Sequence, residues 1–291
     1  MQSGQNQHPK MRSMASTQSN KGIAAVVGVG PKLGLSIARK FAREGYTVAI
    51  LARDLGRLSR FAEEIAREEK AQVFAIRIDC SDSRSVREAF ESVLSLGFVE
   101  ILVYTPNSNN LNLPTNFTDI RIDSFEKSLA VSTVGALHCA QQVIPGMVDR
   151  RKGTIIFTGC SASLNGIAGF SELSCGKFAL RALSQCMAKE FQPLGIHVAH
   201  VIINGAIRLP NRLSSATIST WPSPSSSSST QRSLTGAGGG GGEQHSSQHQ
   251  QVVGIIGEGG GRLIDPDAVA QTYWHLHVQD PSAWTLEIDL C

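Results

Sequence analysis

The sequence predicts an α/β fold, a single doubly wound domain built on a seven-stranded parallel sheet. Three observations carry that prediction. Along most of the 291 residues, short apolar runs alternate with segments of helical spacing. The runs are apolar almost throughout, as strands covered on both faces must be. The order strand, helix, strand repeats, and right-handed crossovers then place helices on both faces of one sheet.

Each element has its own signal. Residues 22–28 (GIAAVVG) form an apolar run between glycines, a buried strand. Residues 32–45 carry Leu33, Ile37, Ala38 and Phe41 at helical spacing, and Gly45 closes the helix. Residues 47–52 form a second strand and 57–69 an amphipathic helix. Residues 73–78 are a strand, 83–96 a helix and 99–105 a strand. One long helix is expected over 123–149. Residues 154–158 then read as a strand, 172–191 as a helix and 197–203 as a strand. A helix over 266–277 and a strand over 284–290 complete the pattern.

Composition narrows the classes. Hydrophobic residues make up 41% and charged residues 18% of the chain, a globular balance. No apolar run approaches the roughly 18 residues that span a bilayer, so no membrane partner is expected. A net charge of +3 is too slight to point to nucleic acid. The first 20 residues read as a disordered tail without the apolar core of a secretory signal. The expected compartment is cytoplasmic, with organelle import through that acid-poor tail as the alternative. Residues 21–291 form the domain, and 213–261 a flexible Ser/Gly-rich insertion. The six cysteines contain no CxxC pair. His197 with His200, and His275 with His277, have spacings that do not converge on the elements that carry them. These four histidines read as structural, and no metal is expected.

The chemistry is concentrated at strand ends. The first strand runs into Gly28-Val-Gly30-Pro-Lys32-Leu33-Gly34. Glycines in a strand–turn–helix context let backbone approach a pyrophosphate, and the helix N-terminus offers N–H donors and a positive dipole end. The spacing GxGxxxG is one residue longer than the dinucleotide fingerprint. After the second strand, an acid would bind the ribose 2′-hydroxyl of NAD. Here the strand ends Ala52-Arg53-Asp54. Arg53, seconded by Lys32, puts a cation where a 2′-phosphate would lie, so NADP is expected ahead of NAD.

These residues resemble the short-chain dehydrogenase/reductase family over residues 22–290, apart from the insertion. The resemblance rests on the glycine turn, Asp79, Val131-Ser-Thr-Val-Gly135, Lys177 and Ile203-Asn-Gly-Ala-Ile207. It implies a Rossmann-like fold. It also implies that Asp79 holds the adenine, that the segment ending at Ile207 lies against the nicotinamide, and that Lys177 holds the nicotinamide ribose. The two long helices match those that build dimers and tetramers in the family. After the sixth strand the family places its substrate lid, which here is replaced or extended by residues 213–261. Apolar recognition there would come from Leu209, Leu213 or Trp221.

The family's catalytic set is a serine, a tyrosine and a lysine, commonly with an asparagine. Tyrosine and lysine stand four residues apart on one helix face. Here Lys177 is present, but the tyrosine position is Leu173. The serine position falls on Cys160, with Ser161 next, and the asparagine position on Ser132. The chain is similar to an atypical subgroup that lacks the tyrosine. Hydride transfer to a carbonyl builds an alkoxide that needs a proton. The candidate substitutes are Cys160, Ser161, Ser174, Cys175 and Tyr104, the last expected at the ligand edge of the sheet. The resemblance thus implies an NADP(H)-dependent oxidoreductase of a carbonyl or alcohol small molecule, with a non-standard proton donor. Two alternatives stand beside it. One is a dinucleotide-binding sensor without turnover. The other is an isomerase-type enzyme that keeps the cofactor as a structural element.

Overall fold

The structure is a computed structural model and describes residues 21–106, 114–210 and 263–291. The expected tail, the Ser/Gly insertion, Leu213 and Trp221 lie outside the described residues.

The chain builds β1 (Ile23–Val27), α1 (Leu33–Arg43), β2 (Thr47–Ala52), α2 (Leu55–Glu69), β3 (Val73–Arg77), α3 (Ser83–Ser95) and β4 (Val99–Tyr104). It continues with α4 (Ile122–Leu129), α5 (Gly135–Arg150), β5 (Gly153–Cys160), α6 (Ser171–Phe191), β6 (Ile196–Ile203), β7 (Ala206–Ile207), β8 (Leu263–Ile264), α7 (Pro266–His277) and β9 (Glu287–Leu290). Seven strands form one sheet in the order β3-β2-β1-β4-β5-β6-β9, all pairs parallel. The order reverses between β1 and β4, so the doubly wound fold expected from the apolar runs is the fold found. The switch point lies at the carboxyl ends of these two strands, where such sheets bind ligands.

The strand pleat sends alternate residues into two cores. Ala24 and Val26 of β1 join α1, α2 and α7 on one face. Ile23, Ala25 and Val27 join α3 and α5 on the other. Every residue of β1, β4 and β6 is buried. Among the described residues, no helix is long and apolar enough to cross a membrane.

Two features depart from the expected elements. The helix expected over 123–149 is interrupted by a π turn, Ala130–Val134, between α4 and α5. A close approach at the next residue accompanies it. A Cβ on Gly135 would sit 2.4 Å from the Cys80 carbonyl oxygen and 2.6 Å from the Tyr104 hydroxyl, so the helix meets the sheet here too closely for any side chain. The second feature is the short parallel pair β7–β8, too brief to leave a periodic signal.

The four histidines divide into two buried, one half-buried and one at the surface. His197 hydrogen-bonds the carbonyls of Leu276 and Thr285 and stacks on Trp284. His277 bridges the Tyr46 hydroxyl at 2.7 Å and Thr154 Oγ1 at 2.9 Å. His200 contacts Glu287, and His275 is exposed beside Gln271. Among the described residues, no group of three or more acids, histidines and cysteines could hold a metal ion.

Burial pushes His277 from its ordinary 6.5 down to about 4, against the pull of Glu100. The folded chain therefore keeps this ring neutral where the unfolded chain protonates it. Stability should fall as pH drops from about 6.5 to 4, by at most about 3 kcal/mol. Denaturant midpoints between pH 7.5 and 4.5 check this. His277→Gln should flatten the slope, and an unchanged slope would remove His277 as its source.

Candidate functional site

The glycine turn is held by local sterics. Gly28 has φ +87°, and a Cβ there would lie 2.6 Å from the nitrogen of Pro106. A Cβ on Gly34 would lie 2.8 Å from Val29 Cα, so glycine lets α1 pack tightly on the turn. Gly30 differs: a Cβ there would meet nothing within 4 Å. It borders open space, as backbone that cradles a ligand should. No side chain caps the first turn of α1, and that turn contains no acid. The Leu35 N–H donates to the Gly30 carbonyl and the Ser36 N–H to the Lys32 carbonyl, so the N–H groups of Leu33 and Gly34 are the ones left for an external anion.

This turn forms one wall of a cleft of about 370 Å³. Gly28, Gly30, Arg53 and Asp79 line it, from the ends of β1, β2 and β3. Lys32, Leu33, Gly34, Lys177 and Ile207 do not. Lys32 is exposed, and the side chain of Leu33 is buried in the core. The cleft also holds Val131 and, unmarked by the sequence, Arg57, Leu58 and Lys127. Val131 lay in the 131–135 segment already singled out. Lys127 stands one turn before it, and that spacing was the available signal.

The two acids of the cleft are differently employed. Asp54 caps α2, accepting the Arg57 N–H at 3.0 Å, and pairs with the Arg57 guanidinium at 3.2 Å. Arg53 forms no salt bridge with another described residue. Asp79 Oδ1 accepts both the N–H and the hydroxyl of Ser81. Partial burial disfavours its charge, but the Ser81 hydrogen bonds and the charges of Arg53 and Lys127 outweigh this. The Asp79 carboxyl is held below its ordinary range.

A second group gathers at the ends of β5 and α6. Lys177 is 5% exposed, and its Nζ donates to the Thr158 carbonyl at 3.0 Å. Thr158 Oγ1 in turn contacts the Tyr273 hydroxyl at 2.7 Å. Burial pulls the Lys177 ammonium below its ordinary value, and nearby Cys160 acts in the opposite direction. Leu173, one turn earlier on α6, is also 5% exposed and packs with Phe170 and Ala162 beside Cys160 and Ile167. Cys160 ends β5 and caps the short turn Ser161–Ser163, its N–H donating to Ser163 Oγ at 3.2 Å. Ser161 Oγ is buried without a hydrogen-bond partner. Ser174 Oγ accepts the Ile167 N–H at 3.3 Å, which leaves its own proton unspent. Cys175 is exposed. Gly176 packs on Ser132: a Cβ there would lie 2.8 Å from Ser132 Oγ, another buried oxygen without a partner. His200 Nδ1 contacts Glu287 at 3.1 Å, while its buried Nε2 has no partner and abuts Gly159.

Tyr104 requires a correction. It ends β4 at the expected edge, but it is 1% exposed and packs with Leu102 and Phe157 in the core toward α5. Its hydroxyl donates to the Val131 carbonyl. Burial raises that hydroxyl well above its ordinary pKa, which makes it a worse acid. Both facts argue against Tyr104 as the proton donor.

A family model described as short chain dehydrogenase matches residues 22–212. The chain belongs to the short chain dehydrogenase family. Its curated relatives include a 3-ketodihydrosphingosine reductase of Bos taurus, 28% identical over 60% of this chain and 53% of the relative. They also include a 3-dehydrosphinganine reductase of Danio rerio, 29% identical over 62% of this chain and 54% of the relative. The chain thus spans about half the length of these two relatives. Among solved structures, a short-chain dehydrogenase from Rhodopseudomonas palustris superposes with a TM-score of 0.68 at 25% identity, covering 93% of this chain and 98% of that one. The seven-stranded Rossmann-like sheet is therefore the family's own.

Proposed function

We propose that the chain is an NADP(H)-dependent oxidoreductase of a small carbonyl or alcohol, whose proton donor is not the family tyrosine. The employment of the two residues after β2 carries the cofactor part. Asp54 is spent on capping α2 and on Arg57, so it does not stand ready for a ribose hydroxyl. Arg53 beside it keeps its guanidinium for a phosphate. The open space at Gly30 and the uncapped turn of α1 suit the pyrophosphate. The relatives' names, both reductases of a keto or dehydro compound, support the redox part.

NADPH, when bound, supplies the hydride. The chain's own part is to orient and to move a proton. Lys177, fixed on Thr158, offers its remaining ammonium protons to a ribose and a positive field to a developing alkoxide. The proton comes from one of Cys160, Ser161 and Ser174, which surround the same end of α6. The exposed apolar side chains Val134, Leu137 and Phe178 on this side of the domain support a homo-oligomer.

Arg53→Ala tests the cofactor assignment. It should weaken NADPH by about tenfold or more and NADH hardly at all, because a charge-assisted pair contributes about 1.5–3 kcal/mol. Equal losses in a fluorescence titration would reject NADP preference. A second reading, dinucleotide binding without turnover, is favoured by one observation. Leu173, buried among Phe170 and Ala162, leaves no acid at the expected place. Binding of NADPH without oxidation of it by a panel of ketones and aldehydes would select that reading.

A further inference from the structure

Cys80 follows Asp79 just after β3 and lines the cleft. It is half-buried, and it packs against the core cluster that contains Cys139 of α5. Gly135 shows how close the two segments come: a Cβ there would lie 2.9 Å from Cys80 Cβ. Cys139 stands four residues after Gly135, on the same face of α5. Helical side chains lean toward the N-terminus, so Cys139 leans over the bare turn at Gly135, where Cys80 sits. The two thiols are hydrogen-bonded to each other.

The pair is unequal. Cys80 is reached through the cleft, whereas Cys139 is 0% exposed. The hydrogen bond with Cys139 holds the Cys80 thiol below its ordinary range, against the opposing effect of burial. Burial pushes the Cys139 thiol well above that range. A reachable, more acidic thiol beside a withdrawn one is how an oxidation-prone cysteine and its resolving cysteine are arranged. We propose that Cys80 is an oxidation site for peroxides and that Cys139 resolves it, closing a Cys80–Cys139 disulfide in the cleft wall. The Cys80 sulfur, as thiolate, attacks one oxygen of hydrogen peroxide. The O–O bond breaks, leaving a sulfenic acid and a hydroxide that takes up the proton released by the Cys80 thiol. The Cys139 sulfur then attacks the Cys80 sulfur. The S–S bond forms, the S–O bond breaks, and the oxygen leaves as water with the Cys139 proton. The two thiols lose two electrons, and the peroxide becomes two waters. The bond fastens the residue after Asp79 to α5. It involves neither Lys177 nor the candidate proton donors, so it goes beyond the oxidoreductase reading and does not rest on it.

The test maps the thiols of the full chain after brief exposure to hydrogen peroxide. Catalase ends the exposure, free thiols are alkylated under denaturing conditions, and the digested peptides are weighed. In wild type the Cys80 and Cys139 peptides should be joined, two hydrogens lighter than their sum, and dithiothreitol should release them. In Cys139→Ala the joined peptide should vanish, and Cys80 should accumulate as a sulfenic acid that dimedone traps. In Cys80→Ser, Cys139 should stay alkylatable, because peroxide reaches the pair through Cys80. Melting temperatures certify both folds. Cys80 is half-buried, so Cys80→Ser tests the order of events even where Cys139→Ala is unstable. A Cys80 that stays alkylatable in wild type would overturn the proposal. So would Cys80 joined to any cysteine other than Cys139, or driven to a sulfinic acid while Cys139 remains a thiol. Oxidation of Cys139 in Cys80→Ser would overturn the assigned order.

Discussion

Leu173→Tyr is expected to raise NADPH-dependent carbonyl reduction by up to about 10²–10⁴-fold, the usual contribution of a positioned general acid, to the extent that Cys160, Ser161 or Ser174 is the poorer acid. Positions 173 and 177 are four apart on α6, hence on one face. A tyrosine there would stand one turn from the Lys177 ammonium, whose field favours the phenolate. The substitution enlarges a buried side chain beside Phe170 and Ala162, and overpacking costs about 1–3 kcal/mol. A modest fall in melting temperature should therefore accompany the gain in rate. Initial rates with NADPH and an aldehyde panel check it. A folded Leu173→Tyr with the wild-type rate would mean that the proton is already supplied, and that one of Cys160, Ser161 and Ser174 suffices.

Lys177→Met should separate stability from function. The ammonium is buried with one protein acceptor, the Thr158 carbonyl, and burial lowers its pKa. The unfolded chain therefore binds this proton more tightly than the folded chain, and stability is lost as pH falls below the lysine's ordinary 10.5. A methionine of similar length removes that loss. The variant should be at least as stable as wild type at pH 7, and its advantage should shrink as pH rises toward 10.5. Turnover should drop by about a hundredfold or more, on the scale of losing one preorganised electrostatic donor. Denaturation at pH 7 and pH 10.5, beside kcat, reads both effects. A rate unchanged in Lys177→Met would remove the lysine from the site.

Most of the fold was legible because buried parallel strands read as apolar runs, and β1 and β4 are such runs. The glycine turn was legible for a similar reason, since positive φ and close backbone approach admit little else at Gly28. The rest depended on contacts distant in sequence. The segment Ala130–Val134 has the same helical spacing as its flanks, and what accompanies its π turn is Gly135 meeting Cys80 and Tyr104. Tyr104 was placed at the right edge of the sheet, but its side chain follows the pleat of Leu102 into the core. Lys127 reads in isolation as one more solvated cation on a helix. Only the fold places it in the wall of the same cleft as Asp79.

The π turn has a mechanical consequence. Three successive residues in it face three different duties. Val131 forms cleft wall and accepts the Tyr104 hydroxyl. Ser132 sits against Gly176, and Thr133 Oγ1 donates to the Gly176 carbonyl at 3.0 Å. Gly176 immediately precedes Lys177. The cleft wall at Val131 and the Lys177 group outside the cleft are thus joined through one short link, and a shift of Val131 reaches Gly176, the residue that leads into Lys177.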